Sequence, residues 1–245
     1  MNPSNVRGAK IKNMTDPAYV EKVAPKFTEI LKILKKSVLP SSRKNLIGKA
    51  IIFIKNKKDG IEALATFLTS VGGMTPIIGS ANSANVKDGD NLLIMGEVDD
   101  KSPLYKYTAA NQKNAKGMVE KFNEPDNKIG QKYPVMIIHE KYLEGLDLAG
   151  VTQIILTQEP GTVGMFDQII GRGVRSCSHK NYPSSQWNVE IISLVNTFDD
   201  KATPDELLIE HRLQNTRLVD TVLEYSQMYS LDCNVSKKRY NLKCK

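Results

Sequence analysis

Cysteine is scarce in this chain: three residues, at 177, 233 and 244, with no C-x-x-C pair and no regular spacing. That excludes a disulfide framework and points to reduced thiols in an intracellular compartment. Long apolar runs are missing too. The stretch Ala50-Ile51-Ile52-Phe53-Ile54 falls far short of the roughly 20 residues that cross a bilayer. The polar start Met1-Asn2-Pro3-Ser4-Asn5 has no secretory apolar core, so neither export nor a membrane partner is expected, and the sequons at Asn13 and Asn234 read as chance. No G-x-S-x-G elbow, dinucleotide fingerprint or metal-ligand cluster occurs, which leaves an unrelated α/β hydrolase, dehydrogenase or metalloenzyme without support. Cys177 and His179 are close in sequence, but two ligands without a second pair make no zinc site.

What is there is enough for a folded domain: 245 residues, 40% of them apolar. The net charge of +7 averages over unlike regions. Residues 1–60 carry 14 Lys/Arg against 4 Asp/Glu and residues 236–245 carry 5 against none, leaving 15 basic and 23 acidic residues between them. An acidic body thus has two basic ends, which suit a phosphate backbone and equally suit solubility.

Periodicity and punctuation divide the chain. Helices are expected to start at Asp16-Pro17 and at Pro25, the second with Phe27, Ile30, Leu31 and Leu34 on one face, ending near Pro40-Ser41-Ser42. Strands are expected at 50–54, 75–78, 92–96, 134–139, 151–157 and 188–195, and helices at 59–71 and 109–122. Strands separated by helix-length segments imply an open parallel α/β sheet with helices on both faces. Gly79 to Ser102, rich in Asn, Asp, Gly and Ser, reads as a surface insertion, and Trp187 as a core residue opening a strand. Thr203-Pro204-Asp205-Glu206 is a capping box, so a long helical extension should follow. Its stripe of Ile209, Leu213, Leu218, Val219, Val222 and Leu223 could pack on the sheet. The expected organisation is therefore a basic linker and amphipathic helix (1–45), a sheet domain (46–200), and a helix with a basic tail (201–245).

The segment richest in chemistry is Gln168-Ile-Ile-Gly171-Arg172-Gly173-Val-Arg175. On a helix, Gln168, Arg172 and Arg175 stand at i, i+4 and i+7, so two guanidinium groups and an amide share one face. Guanidinium forks suit the oxygens of a transferring phosphoryl group, and each glycine costs about 1 kcal/mol of helix stability relative to alanine. A salt-bridged helix face is the plainer alternative.

Q-x-x-G-R-x-x-R resembles motif VI of superfamily 2 helicases, and the form at 168–179 is similar to helicase-like ATPases of large cytoplasmic DNA viruses. Ile138-His139-Glu140-Lys141-Tyr142-Leu143-Glu144-Gly145-Leu146-Asp147-Leu148 resembles motif V, with His139 where Ser or Thr is usual. Residues 50–54 followed by Asp59-Gly60-Ile61-Glu62-Ala63-Leu64 resemble motif IV. Phe122-Asn123 and Asp232-Cys233-Asn234 extend the likeness to about residues 20–235. The resemblance implies the second RecA-like lobe of an ATP-dependent nucleic-acid motor, with Arg172 and Arg175 as catalytic arginines. It implies that Gln168, Gly171, Gly145 and Asp147 lie at the nucleotide, and that His139, Lys141 and Lys55 lie at the nucleic acid. ATP with Mg2+ is the implied cofactor, and the implied setting is a viral, transcription-related protein in host cytoplasm or virion. The sequence has no G-x-x-x-x-G-K-[ST] phosphate loop and no D-E-x-[HD] box. Both belong to the first lobe in this superfamily, so a first lobe is an implied partner and the chain alone is not expected to hydrolyse ATP. The alternative is a non-catalytic module that binds nucleic acid or a partner through its basic ends.

Overall fold

The computed structural model describes residues 11–39, 48–55, 58–78, 91–96, 98, 102, 104–105, 115–175, 178–180, 182–184 and 187–229. The boundary near residue 40, Cys177 and the basic tail from Lys237 lie outside them. So do residues 79–90 of the expected insertion. Two compact units divide the chain: the part up to Gln158 with Gln168–Val195, and Glu159–Asp167 with the residues from Asn196 onward.

The first unit opens with two short helices. In α1 (Pro17–Val23), Asp16 accepts a hydrogen bond from the Ala18 amide at 3.0 Å. That is the capping that Asp-Pro announces, since Asp supplies the acceptor and Pro gives up only an amide that would be unpaired anyway. α2 (Pro25–Ser37) buries Ile30, Leu31 and Leu34. These side chains join one core with Ala50, Ile52 and Ile54, so the helix is part of the sheet unit's packing.

Six strands form one sheet in the order β2-β3-β4-β1-β5-β6, every pairing parallel. They are β1 (Lys49–Ile54), β2 (Thr75–Ile78), β3 (Asn91–Met95), β4 (Val135–His139), β5 (Val151–Leu156) and β6 (Glu190–Ser193). α3 (Lys58–Ser70) follows β1, α4 (Ala115–Phe122) precedes β4, and α5 (Val163–Gly173) links β5 to β6. β1 and β3 are buried at every position, as strands covered on both faces must be. One face (Ala50, Ile52, Ile54, Leu92, Ile94, Val135, Ile137, Ile155) packs against α2 and α3. On the other, a Cβ at Gly173 of α5 would stand 3.1 Å from both Ile154 and Val151.

Three expectations need correction. Gly79–Ser102 is not wholly a surface insertion, because Asn91–Met95 is the buried strand β3 between β2 and β4. The strand expected at 92–96 is borne out, and the polar composition that suggested an insertion belongs to its flanks. Trp187 is 59% exposed and precedes β6, with Nε1 donating to the Tyr182 carbonyl at 2.9 Å. β6 is an edge strand with little cover, so an aromatic beside it is not core.

The second unit holds α6 (Pro204–Met228) and the segment Glu159–Asp167. The capping box forms: the Glu206 amide donates to Thr203 Oγ1 at 3.2 Å, and the Thr203 amide donates to Glu206 Oε2 at 2.7 Å. Arg212 pairs with the buried Glu159 and lies over the Phe166 ring, 4.0 Å from its centroid. The third correction falls on α6: Leu213, Leu218, Val219, Val222 and Leu223 are all exposed. An apolar stripe states that a face can be buried, not that something covers it. No helix among the described residues is long and apolar enough to cross a membrane.

Candidate functional site

The strand order sets where the site lies. From β1 the chain moves toward β2 on one side, whereas from β5 it moves to β6 on the other, so the connections part between β1 and β5. A crevice at the carboxyl ends of two such strands is where open α/β sheets take ligands. On the other side of β1, Ile54 and His139 are in register at the carboxyl ends of β1 and β4, which puts Lys55 and the Glu140–Tyr142 turn at the same edge of the sheet. Lys55 and Lys141 are exposed. His139 is half-buried, and its Nδ1 accepts from the Lys141 amide at 3.1 Å. An acceptor bonded to the amide two residues on is what a Ser or Thr provides in the same turn, so the imidazole replaces the usual hydroxyl without losing the turn. At the same edge the Thr157 amide and hydroxyl both donate to the Phe53 carbonyl, and Lys26 donates to the Thr157 carbonyl at 2.9 Å.

The arginines do not lie at that edge. α5 joins two parallel strands and must run back against them, so its end is at the amino end of β5, about 17–20 Å away across a strand of this length. The connection between His139 and Val151 makes the same descent without a regular helix. Parallel strands usually need a dozen or more residues and a helix for this. Here a 3-10 turn at Glu140–Tyr142 starts the segment, and Leu143, Leu146 and Leu148 are buried along it. Gly145, Asp147 and the intervening Leu146 carbonyl thus reach the end of α5 while His139 stays at the opposite edge.

Both arginines aim at that carbonyl. Arg175 Nη2 donates to Leu146 O at 2.9 Å, and Arg172 Nη1 approaches the same oxygen at 3.5 Å. Arg175 Nη1 pairs with Asp147 Oδ1 at 3.2 Å, and its Nε donates to the Gly171 carbonyl at 3.3 Å. Arg175 therefore lies just beyond α5, not on it, and its charge meets a carbonyl that the helix end leaves unpaired. Arg172 is less fully used: among the described residues its buried Nε has no hydrogen-bond partner. Gln168 and Gly171 are exposed on the same helix.

The glycines divide by role. Gly173 is needed for close packing on β5, so its helix cost has a structural reason and is no sign of chemistry. Gly171 has open space beside it. Gly145 also faces open space but has φ +73°, a left-handed backbone that penalises a side chain whatever the room. Gly145→Ala is expected to lower unfolding stability by about 1–2 kcal/mol through the backbone alone. Gly145→Asn, which tolerates this conformation better, should recover part of the loss in denaturant titrations.

Sequence reasoning missed the role of Asn123. Its Nδ2 donates to the Asp147 carbonyl at 2.6 Å, and its Oδ1 accepts from the Ala149 amide at 2.9 Å. The residue was visible as Phe122-Asn123, but its partners are over twenty positions away. Lys49 was missed as well: it is buried, donates to the Phe122 carbonyl at 2.8 Å and lies 4.1 Å from the Phe122 ring centroid. Burial pushes its ammonium down to about 7. His179 is buried, with Nε2 at 2.6 Å from the Val151 carbonyl and Nδ1 at 2.8 Å from Ser178 Oγ. It is a structural residue. Among the described residues no group of three His, Cys, Asp or Glu side chains gathers to hold a metal. Two guanidinium groups with an unused donor fit the phosphate part of a nucleotide, and the carboxylate beside them, Asp147, is paired with Arg175.

No family model matches the chain. In sequence it is similar to a protein of Acanthamoeba polyphaga mimivirus named as a putative ATP-dependent RNA helicase, with 26% identity over 125 residues, 48% of this chain and 15% of that protein. It is also similar to nucleoside triphosphatase I of Melanoplus sanguinipes entomopoxvirus, with 24% identity over 186 residues, 74% of this chain and 27% of that one. The chain thus spans about a quarter or less of the length of these relatives. Among solved structures it is similar to the C-terminal part of the Fun30 ATPase domain, with TM-score 0.47 and 16% identity over 75% of this chain and 43% of that one. Another is the E. coli DEAD-box protein SrmB, solved bound to RraA, with TM-score 0.40 and 15% identity over 69% of each chain. In sequence, then, the chain is similar to viral proteins named as a putative helicase and a nucleoside triphosphatase.

Proposed function

We propose that this chain acts as the second lobe of an ATP-dependent nucleic-acid motor, presenting Arg172 and Arg175 to a nucleotide held mainly by a first lobe. The observation that carries the reading is the convergence of both guanidinium groups on the Leu146 carbonyl beside Asp147. A neutral carbonyl and an exposed carboxylate are weak partners for two cations, and an incoming γ-phosphate offers three charged oxygens instead. Arg172, with a donor unused, makes the first contact. Arg175 leaves Asp147 to meet charge developing in the transition state. Gln168 and Gly171 flank the phosphate, Gly145 and Asp147 form the loop against the nucleotide, and Mg2+ is bound by the first lobe.

Lys55, His139 and Lys141 face the nucleic-acid backbone at the other end of the sheet. The mimivirus relative's name favours RNA as the track. Motif V reaches both ends, so closure around the nucleotide is transmitted to the strand through one short segment. The viral relatives favour a viral protein, and a transcription-linked role is the setting that best suits it.

The full chain alone is expected to show no ATPase activity above background, and a first lobe carrying a phosphate loop, fused ahead of it, to confer nucleic-acid-stimulated hydrolysis. Absence of turnover in the fusion, with ATP bound by the first lobe, would overturn the reading. The basic ends favour one other reading, a non-catalytic binding module. Its signature is salt-dependent RNA or DNA binding by the chain alone that is lost on removing residues 236–245 and the basic N-terminal segment, with no gain of turnover in the fusion.

A further inference from the structure

We infer that Asn123 is the positioning residue for the arginine pair, acting through the motif V crossover rather than on the nucleotide. The inference rests on the function proposed above. The crossover has no strand ladder and, past Tyr142, no helical bonds to hold it. Yet it supplies both groups that orient Arg175: the Leu146 carbonyl and the Asp147 carboxylate. The next peptides are held by one side chain. Asn123 donates to the Asp147 carbonyl and accepts from the Ala149 amide, at 2.6 and 2.9 Å, gripping a dipeptide step with both ends of its amide.

Few residues could do this. A carboxylate of the same size accepts but cannot donate, and a hydroxyl cannot reach two groups set this far apart. The clamp is itself anchored. Asn123 closes α4 with its amide bonded to the Val119 carbonyl, and the Phe122 carbonyl just before it receives bonds from Lys49 Nζ and Asn127 Nδ2, each at 2.8 Å. A rigid support therefore runs from the buried turn after α4, through one amide, to the backbone that aims Arg175. Misplacing a catalytic group by as little as about 1 Å can cost roughly 100-fold in rate, so the aim of this backbone matters to turnover.

The test has two arms. In the full chain, hydrogen exchange at the Ala149 amide and at the Arg175 Nη protons, which face the Leu146 carbonyl and Asp147, is followed by NMR in wild type, Asn123→Ala and Asn123→Asp. In the fusion with a first lobe, kcat and KM for ATP are measured for the same three. Asn123→Ala should speed exchange at both sites and lower kcat by roughly 10- to 100-fold with KM nearly constant. Asn123→Asp, which keeps the acceptor for Ala149, should restore protection at Ala149 and recover part of kcat. Unchanged exchange in Asn123→Ala overturns the clamp, and faster exchange with unchanged kcat overturns the positioning role. If Asn123→Ala does not fold, Asn123→Asp decides: a wild-type kcat overturns the inference. A wild-type fusion without turnover would instead sink the functional reading on which it rests.

Discussion

Arg175→Ala is expected to lower kcat of the two-lobe fusion by about 10³-fold or more, the range of a deleted arginine finger, without unfolding the domain. The structure separates the two effects. Arg175 is about one-third exposed and its ion-pair partner Asp147 about 70% exposed, so the pair is solvated and its loss should cost well under about 1 kcal/mol. The hydrogen bond to the Gly171 carbonyl is at a helix end that water can satisfy. Melting should therefore change little while turnover collapses. Arg175→Lys should not rescue it, because an ammonium cannot meet a carbonyl, a carboxylate and a phosphate through one planar fork. Arg172→Ala should act more on binding, raising KM for ATP as well as lowering kcat, since its unused donor favours the ground-state phosphate. Full turnover in Arg175→Ala would sink the assignment.

The second large effect concerns stability. Lys49 is buried beneath the Phe122 ring, and burial holds its ammonium at about 7, far below the usual lysine value. A depressed lysine means that the unfolded chain binds a proton the folded one resists. Stability therefore rises with pH between about 7 and the unfolded value, and the penalty is complete below about 7. At 1.36 kcal/mol per pKa unit the span amounts to roughly 4–5 kcal/mol. Lys49→Met keeps the stem and removes the charge, and the Phe122 carbonyl still has Asn127 as a donor. The variant is expected to be more stable than wild type at pH 6 by a few kcal/mol, on the order of the full burial penalty. The difference should shrink toward pH 10. Chemical denaturation at several pH values measures it, and a gap independent of pH would show that the ammonium is not desolvated.

Much of the architecture was legible because it is local. Strand and helix positions followed from apolar runs and from caps whose partners lie within a few residues: Asp16 to Ala18, Thr203 to Glu206. The parallel sheet followed from the alternation of those elements. The failures were places where burial depends on a distant neighbour. The strand at 92–96 was legible from its apolar run, but its polar surroundings read as a surface insertion because its cover comes from β2 and β4. Trp187 and the α6 stripe looked like core because apolar side chains can be buried, but no sequence pattern says whether they are. Gly173 looked chemical and is steric, since the side chains it must avoid are on β5.

The candidate site divides in the same way. The residue types and spacing at 168–175 and 138–148 carry the helicase resemblance by themselves, because motif chemistry requires a few fixed groups at fixed offsets. Sequence also determined the acidic body and basic ends. Only the tertiary structure decided that Arg172 and Arg175 lie at the amino end of β5, away from the carboxyl edge where an open sheet was expected to hold its ligand. It alone brought Asn123 to Asp147 and Ala149, and Asp147 to Arg175. The reason is topological: a helix between parallel strands must reverse direction, and a crossover carries groups from one sheet edge to the other. Where a side chain arrives after such a reversal depends on contacts between segments far apart in the chain.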